Sequence, residues 1–313
     1  MRSRNKTILI TTGDPGGIGP EIILRSLRDP AISRLARFII IGDQKNYPAS
    51  LKDLPAPHEF LDLAHSFAHR IVIGDTNPFN ARASLAYLNK AISLLKENKA
   101  AGLVTAPICK ESICSLGKKF SGHTEYLAQA FHVKKFDMMF VAGKLKVVTA
   151  TRHIPINKLH SAITKERVLA SIVLPTQILK KHFKIHKPKI AVCGLNPHAG
   201  EKGTIGREEI DEIIPAIKKA QKLGINACGP FSADTLFYPK NTAQYDLIIA
   251  MFHDQGLAPI KALYFKELVN VTIGLPIIRT SPAHGTAFHL AGKGKADASS
   301  MKSAIKLAAQ LVG

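Results

Sequence analysis

Three histidines stand just beyond short apolar runs: His153 in Lys146-Val-Val-Thr-Ala-Thr-Arg-His153, His198 in Lys189-Ile-Ala-Val-Cys-Gly-Leu-Asn-Pro-His198, and His253 in Leu247-Ile-Ile-Ala-Met-Phe-His253. Neutral imidazoles suit zinc and other divalent ions, and three protein ligands leave positions open for a substrate, as a catalytic metal requires. Ligands so distant in sequence carry no diagnostic spacing, so a second reading stays open: ordinary capping or surface histidines among the chain's 13.

Cationic and hydroxylic residues gather in two further stretches. Asp254, Lys261, Asn270 and Arg279 punctuate an apolar region. The Arg279 guanidinium could grip a phosphate or carboxylate with two hydrogen bonds, whereas Lys261 offers a mobile point charge or a surface cation. In Phe120-Ser-Gly-His-Thr-Glu125, His123 and Thr124 fall at a helix start, where N–H groups face an anion. Helix capping by Ser121 or Thr124 explains the same residues equally well. The loop Gly13-Asp-Pro-Gly-Gly-Ile-Gly-Pro-Glu21 matches neither the dinucleotide fingerprint nor the Walker lysine motif, so structural turn and ligand loop are both open. A last glycine-containing loop, Ala283-His-Gly-Thr-Ala-Phe-His-Leu-Ala-Gly-Lys-Gly-Lys295, could cradle a ligand.

The elements that must position these groups alternate. Strands are expected at 7–12, 37–41, 102–105, 146–150, 189–194, 246–251 and 268–273. Helical periodicity marks 83–97, 165–181, 208–223 and 299–311. This is the pattern of an α/β protein with a largely parallel sheet, in which function collects beyond the carboxyl ends of strands.

At 313 residues and 46% hydrophobic content the chain suits two α/β lobes or one large domain. No apolar run approaches the roughly eighteen residues of a membrane span. The basic start 1–6 imitates a signal peptide, but the apolar stretch after it is cut short, and we expect mature sequence. Cys109, Cys114, Cys193 and Cys228 lack paired metal spacing, which favours reduced thiols and the cytoplasm. The net charge of +20, part of it in Lys180-Lys-His-Phe-Lys-Ile-His-Lys-Pro-Lys189, raises nucleic-acid binding as a possibility. Scattered charge elsewhere, six tyrosines and no tryptophan favour a solvated surface that helps to gather an anionic substrate.

Taken in order, Gly-Asp-Pro-Gly-Gly-Ile-Gly-Pro-Glu, Ser-Gly-His-Thr-Glu, Gly-Leu-Asn-Pro-His-Ala-Gly-Glu, Phe-His-Asp-Gln-Gly and Gly-Leu-Pro-Ile-Ile-Arg-Thr-Ser resemble the 4-hydroxythreonine-4-phosphate dehydrogenase family of vitamin B6 biosynthesis across nearly the whole chain. The resemblance implies an α/β/α architecture like isocitrate and isopropylmalate dehydrogenases, with a cleft between lobes set near 1–130 with 280–313 and 131–279. It implies a homodimer whose chains share each metal site, a divalent ion (zinc, magnesium or cobalt) on His153, His198 and His253, and substrate contacts from His123, Thr124, Lys261, Asn270 and Arg279. Membrane and specific nucleic-acid partners are not expected.

The reaction implied is oxidation of 4-phosphooxy-L-threonine at C3 with NAD or NADP, followed by decarboxylation. The loop with His284, Gly285, Thr286 and His289 resembles an adenosine-binding loop. Ala283 and His289 depart from the acidic residues usual there, which bears on cofactor preference. Asp254 is a candidate general base or an orienting partner of His253. A paralogue acting on a phosphorylated threonate or erythronate, or on a cyclic dihydrodiol, would look much the same.

Overall fold

The computed structural model describes residues 6–47 and 57–313; residues 1–5 of the basic start lie outside them. The chain forms two compact units, one ending at Lys134 and resuming at Lys266, the other spanning Lys135–Phe265. The sequence-based boundaries stood at 130/131 and 279/280. Residues 266–279 cluster with the first unit because β10 (Val269–Ile273) pairs antiparallel with β11 (Ile278–Pro282), with Thr272 opposite Arg279.

In the first unit the strand order is β3-β2-β1-β4-β11-β10. Here β1 is Thr7–Thr11, β2 Arg37–Gly42, β3 Glu59–Asp62 and β4 Gly102–Thr105. The ladders linking β3, β2, β1, β4 and β11 are all parallel. Ile8, Leu9, Ile10, Leu103 and Val104 are fully buried, as expected of strands covered on both faces. Helices Gly19–Leu27, Pro78–Lys96 and Ser299–Leu311 supply apolar faces to this core.

The second unit has the order β5-β6-β9-β7-β8. Its strands are β5 (Asp137–Ala142), β6 (Leu145–Thr149), β7 (Lys189–Cys193), β8 (Asn226–Phe231) and β9 (Leu247–Ala250). Only the β5–β6 hairpin is antiparallel; β6–β9, β9–β7 and β7–β8 run parallel. Helix Lys165–Lys181 forms where periodicity places it, capped by Thr164 accepting from Arg167 N at 3.2 Å.

The helix expected at 208–223 opens as a π-helical turn, Glu209–Ile213, before Ile214–Lys222. Pro215 lacks the N–H that would bond the carbonyl of Asp211, so the regular helical ladder is interrupted there. The α/β class expected from the alternation is the class observed. Among the described residues, no helix is long and apolar enough to cross a membrane.

Candidate functional site

In the second unit the three histidine-bearing strands are neighbours. β6, β9 and β7 run in one direction, so their carboxyl ends open at one edge. Backbone pairing continues past β6: Ala150 N donates to Ala250 O at 2.7 Å, and Thr151 N and Oγ1 donate to Met251 O at 3.0 and 2.7 Å. This carries the two segments outward together, and the rings of His153 and His253 end with centroids 5.5 Å apart. Two imidazoles on one tetrahedral ion, with metal–nitrogen distances of about 2 Å, would place their centroids about 5 Å apart. The pair therefore suits a shared divalent ion.

His253 Nδ1 lies 2.6 Å from Asp254 Oδ1. A carboxylate accepting from Nδ1–H selects the tautomer whose Nε2 lone pair points away, the form a metal takes. Asp254 thus sits on the imidazole of His253. Gln255 ties the two neighbouring strand ends together, its Oε1 accepting from Met251 N at 2.6 Å and its Nε2 donating to Gly194 O at 2.8 Å.

His198 is exposed and starts a left-handed turn, His198 to Lys202, with φ of 52, 52, 79, 42 and 57°. For its non-glycine residues that conformation costs roughly 1–2 kcal/mol each, and it persists only where surrounding structure enforces it. Among the described residues, no group of three His, Cys, Asp or Glu is placed to hold a metal. A single chain brings His153 and His253 together.

The first unit builds an anion-receptive cluster around Arg279. This side chain is 3% exposed; Nε and Nη2 donate to Thr105 Oγ1 at 3.2 and 2.6 Å, and Nη1 to Thr272 Oγ1 at 3.0 Å. Burial pushes its pKa down to about 9, opposed by the charge of Glu125, which leaves the guanidinium cationic at pH 7. A buried cation whose hydrogen-bond partners are neutral hydroxyls is a strong attractor for an anion. Thr124 Oγ1 lies 3.2 Å from Thr272 Oγ1, completing a chain of hydroxyls. The helix His123–Ala130 is capped by Gly122 with no side-chain bond, so Thr124 does not serve as its cap.

His123 has a pKa well below the usual imidazole value through burial, then through the charges of Arg279 and Lys110. Its neutral ring holds Nε2 out of solvent without a hydrogen-bond partner. Asn270 lies two residues from Thr272 on β10, on the same strand face. Lys261 is half-buried on helix His253–Tyr264 of the second unit.

The glycine loop after β1 acquires a structural explanation. Cβ atoms at Gly13, Gly16, Gly17 and Gly19 would fall 2.2 Å from Pro107 O, 2.2 Å from Asn80 Nδ2, 2.8 Å from Thr286 O and 2.1 Å from Thr12 O. These glycines are required by protein packing. Buried Asp14 accepts from Gly16 N at 3.0 Å, and burial raises its pKa to about 6.

Beside this loop a cavity of about 420 Å³ is lined by Pro15, Gly17, Glu21, Tyr47, Ile73 and Gly292, among others. The loop at 284–290 meets the glycine loop through Thr286, whose carbonyl accepts from Ile18 N at 3.0 Å. His284 Nδ1 contacts Gly285 O at 3.0 Å; a Cβ on Gly285 would meet open space, and His289 is exposed in the turn Phe288–Leu290. Sequence reasoning missed Thr105, Thr272 and Lys110. Thr272 was accessible through its two-residue offset from Asn270; Thr105 and Lys110 carried no comparable signal.

The model for pyridoxal phosphate biosynthetic protein PdxA matches residues 31–308. The chain is 38% identical to a 4-hydroxythreonine-4-phosphate dehydrogenase of Desulforapulum autotrophicum, covering 99% of this chain and 96% of the relative. It is 41% identical to a protein of Oceanobacillus iheyensis provisionally named D-threonate 4-phosphate dehydrogenase, covering 99% and 98%. Among solved structures, the 4-hydroxythreonine-4-phosphate dehydrogenase of Klebsiella pneumoniae superposes with a TM-score of 0.87 at 33% identity, covering 99% of each chain.

Proposed function

The chain belongs to the family of pyridoxal phosphate biosynthetic protein PdxA, and from this premise we propose that it oxidises 4-phosphooxy-L-threonine at C3 with NAD or NADP and releases carbon dioxide from the β-keto acid. The observation that carries this reading is the buried Arg279 beside neutral His123 and Thr124, a cluster suited to an anionic substrate. Arg279 holds an anionic group of the substrate in its remaining fork, and His123 Nε2 and Thr124 fix the neighbouring polar groups. Asn270, two residues from Thr272 on the same strand, adds an amide. Fixing the substrate before reaction removes an entropy loss from the barrier.

His153 and His253 fit one divalent ion by their 5.5 Å spacing, with Asp254 orienting His253 rather than acting as general base. Such an ion, zinc, magnesium or cobalt, supplies Lewis acidity toward the alcohol and the charge that develops on decarboxylation. The nicotinamide supplies the hydride acceptor, and the cavity beside the glycine loop, lined by Pro15, Gly17, Tyr47, Ile73 and Gly292, has the size for part of it. One chain pairs two of the three imidazoles, and we assign the third ligand, His198, to a second copy of this chain, as the family resemblance implies, making the enzyme a homodimer with shared sites. Mixing His198→Ala chains with His253→Ala chains should then restore activity through hybrid sites.

The free cysteines fit a reducing cytoplasm. A second reading, oxidation of a phosphorylated threonate, is favoured by the 41% identity to the Oceanobacillus iheyensis protein. Reduced cofactor and carbon dioxide are to be measured with each substrate on metal-loaded protein. Turnover confined to the phosphorylated threonate would replace the first reading with the second.

A further inference from the structure

We propose that Glu209 is a positioning residue that clamps the left-handed turn carrying His198, and so sets where that imidazole is presented. Glu209 is 2% exposed, at the start of the π-helical turn Glu209–Ile213. Its Oε1 accepts from two successive backbone groups, Leu195 N at 2.7 Å and Asn196 N at 2.8 Å; its Oε2 accepts from Asn196 Nδ2 at 2.9 Å. The Asn196 amide also donates to Glu208 Oε2 at 2.7 Å, and Glu208 Oε1 in turn meets His160 Nδ1 at 2.7 Å. One buried carboxylate thereby gathers the chain just after β7, two residues before His198.

Glycines make room for this arrangement. A Cβ on Gly194 would fall 3.0 Å from Glu209 Oε1, one on Gly200 2.5 Å from Oε2, and one on Gly206 2.4 Å from Asn196 Nδ2. Gly200 and Gly206 also have φ of +79 and +82°, where side chains are strained. The glycines on both sides of the turn are thus explained by the clamp. A turn with non-glycine residues in left-handed conformation is unfavourable by itself, and the bonds from Leu195 and Asn196 to Glu209 anchor the chain where it enters that turn, beside the turn's own backbone bonds from Ala199 N to Asn196 O and Ile205 N to Gly200 O. The π-helical turn places the carboxylate at its required position in the interior, a recurrent use of such turns.

The proposal rests on the reading that His198 supplies a metal ligand, and the test separates the two. Cobalt(II) affinity by chelator competition, the cobalt absorption spectrum, and hydrogen exchange of the metal-free protein are to be compared for the natural chain, Glu209→Gln and His198→Ala. In Glu209→Gln one acceptor oxygen becomes an NH₂ facing Asn196 Nδ2. Exchange at Leu195 and Asn196 should accelerate without a matching change in the sheet, and cobalt affinity should fall about 10- to 100-fold, the usual effect of losing a residue that orients a ligand.

Where His198→Ala does lose cobalt affinity, a merely structural Glu209 would lower the melting temperature while leaving affinity and spectrum unchanged, and that result overturns the proposal. If His198→Ala itself binds cobalt like the natural chain, the ligand assignment fails, whereas accelerated local exchange in Glu209→Gln would still establish the clamp. Should Glu209→Gln not fold, Asn196→Ala keeps both backbone bonds to Glu209 and removes the side-chain bonds to Glu209 and Glu208. It should show a smaller loss of affinity in the same direction; unchanged affinity and exchange would overturn the proposal.

Discussion

Replacing Arg279 by lysine preserves charge and removes the fork, so it isolates what the planar group contributes. In the fold, Nε and Nη2 share Thr105 Oγ1 while Nη1 reaches Thr272 Oγ1. An ammonium has one nitrogen where the guanidinium has three, and it cannot keep both hydroxyls and face an anion with two parallel N–H groups. Losing one charge-assisted hydrogen bond to the substrate costs about 1.5–3 kcal/mol, which corresponds to a fall in kcat/KM of roughly 10- to 150-fold.

The assay is steady-state formation of reduced cofactor, with inorganic phosphate as competitive inhibitor and thermal melting in phosphate-free buffer as the control for folding. Arg279→Lys should raise the inhibition constant for phosphate together with the loss in kcat/KM if its anion is the phosphate group, while a retained phosphate affinity would locate the carboxylate there instead. Kinetics within twofold of the natural protein, with melting unchanged, would refute the reasoning and leave Arg279 as a packing residue.

Three further outcomes follow from particular residues. His253→Ala removes one of the paired imidazoles and should abolish most divalent-ion binding and turnover together, measured by equilibrium dialysis and assay; full activity after rigorous chelation would defeat the metal assignment. Asp14 binds its proton more tightly in the fold, so it costs no stability below about pH 4 and an increasing amount as pH rises through about 6, reaching about 3 kcal/mol in order of magnitude. Asp14→Asn should therefore gain in melting temperature relative to the natural chain between pH 4 and 7, and a difference independent of pH would show that the carboxyl does not titrate in this range. His289 cannot repel a 2′-phosphate as a carboxylate does, so the natural protein should use NADP comparably to NAD, and His289→Asp should shift the preference toward NAD by about tenfold; an unaltered ratio would place His289 away from the ribose.

Much of the architecture could be read along the chain because it depends on local regularities. β-rich apolar runs foretold β1, β2, β4, β6, β7, β9 and β10, and three- and four-residue periodicity foretold helices Lys165–Lys181 and Ser299–Leu311. Strands that carry weak local signals went unread: β3 is short, β5 is rich in methionine, β8 contains Gly229-Pro230, and β11 is Ile-Arg-Thr-Ser-Pro. Their pairing depends on distant neighbours, which no local pattern encodes.

The same division holds for the site. The histidines past three strand ends, the Arg279 at the end of an apolar run and the ordered motifs of the family were visible in the sequence alone. Whether those residues meet was not, because strand order sets the neighbours: β9 lies between β6 and β7 although it follows both in the chain. Tertiary packing alone pairs His153 with His253, buries Arg279 against Thr105 across 174 residues of sequence, and bends the chain through His198 into a left-handed turn. The physical reason is common to all three: residue type supplies the chemistry locally, while distances, desolvation and backbone strain arise only when remote segments are packed together.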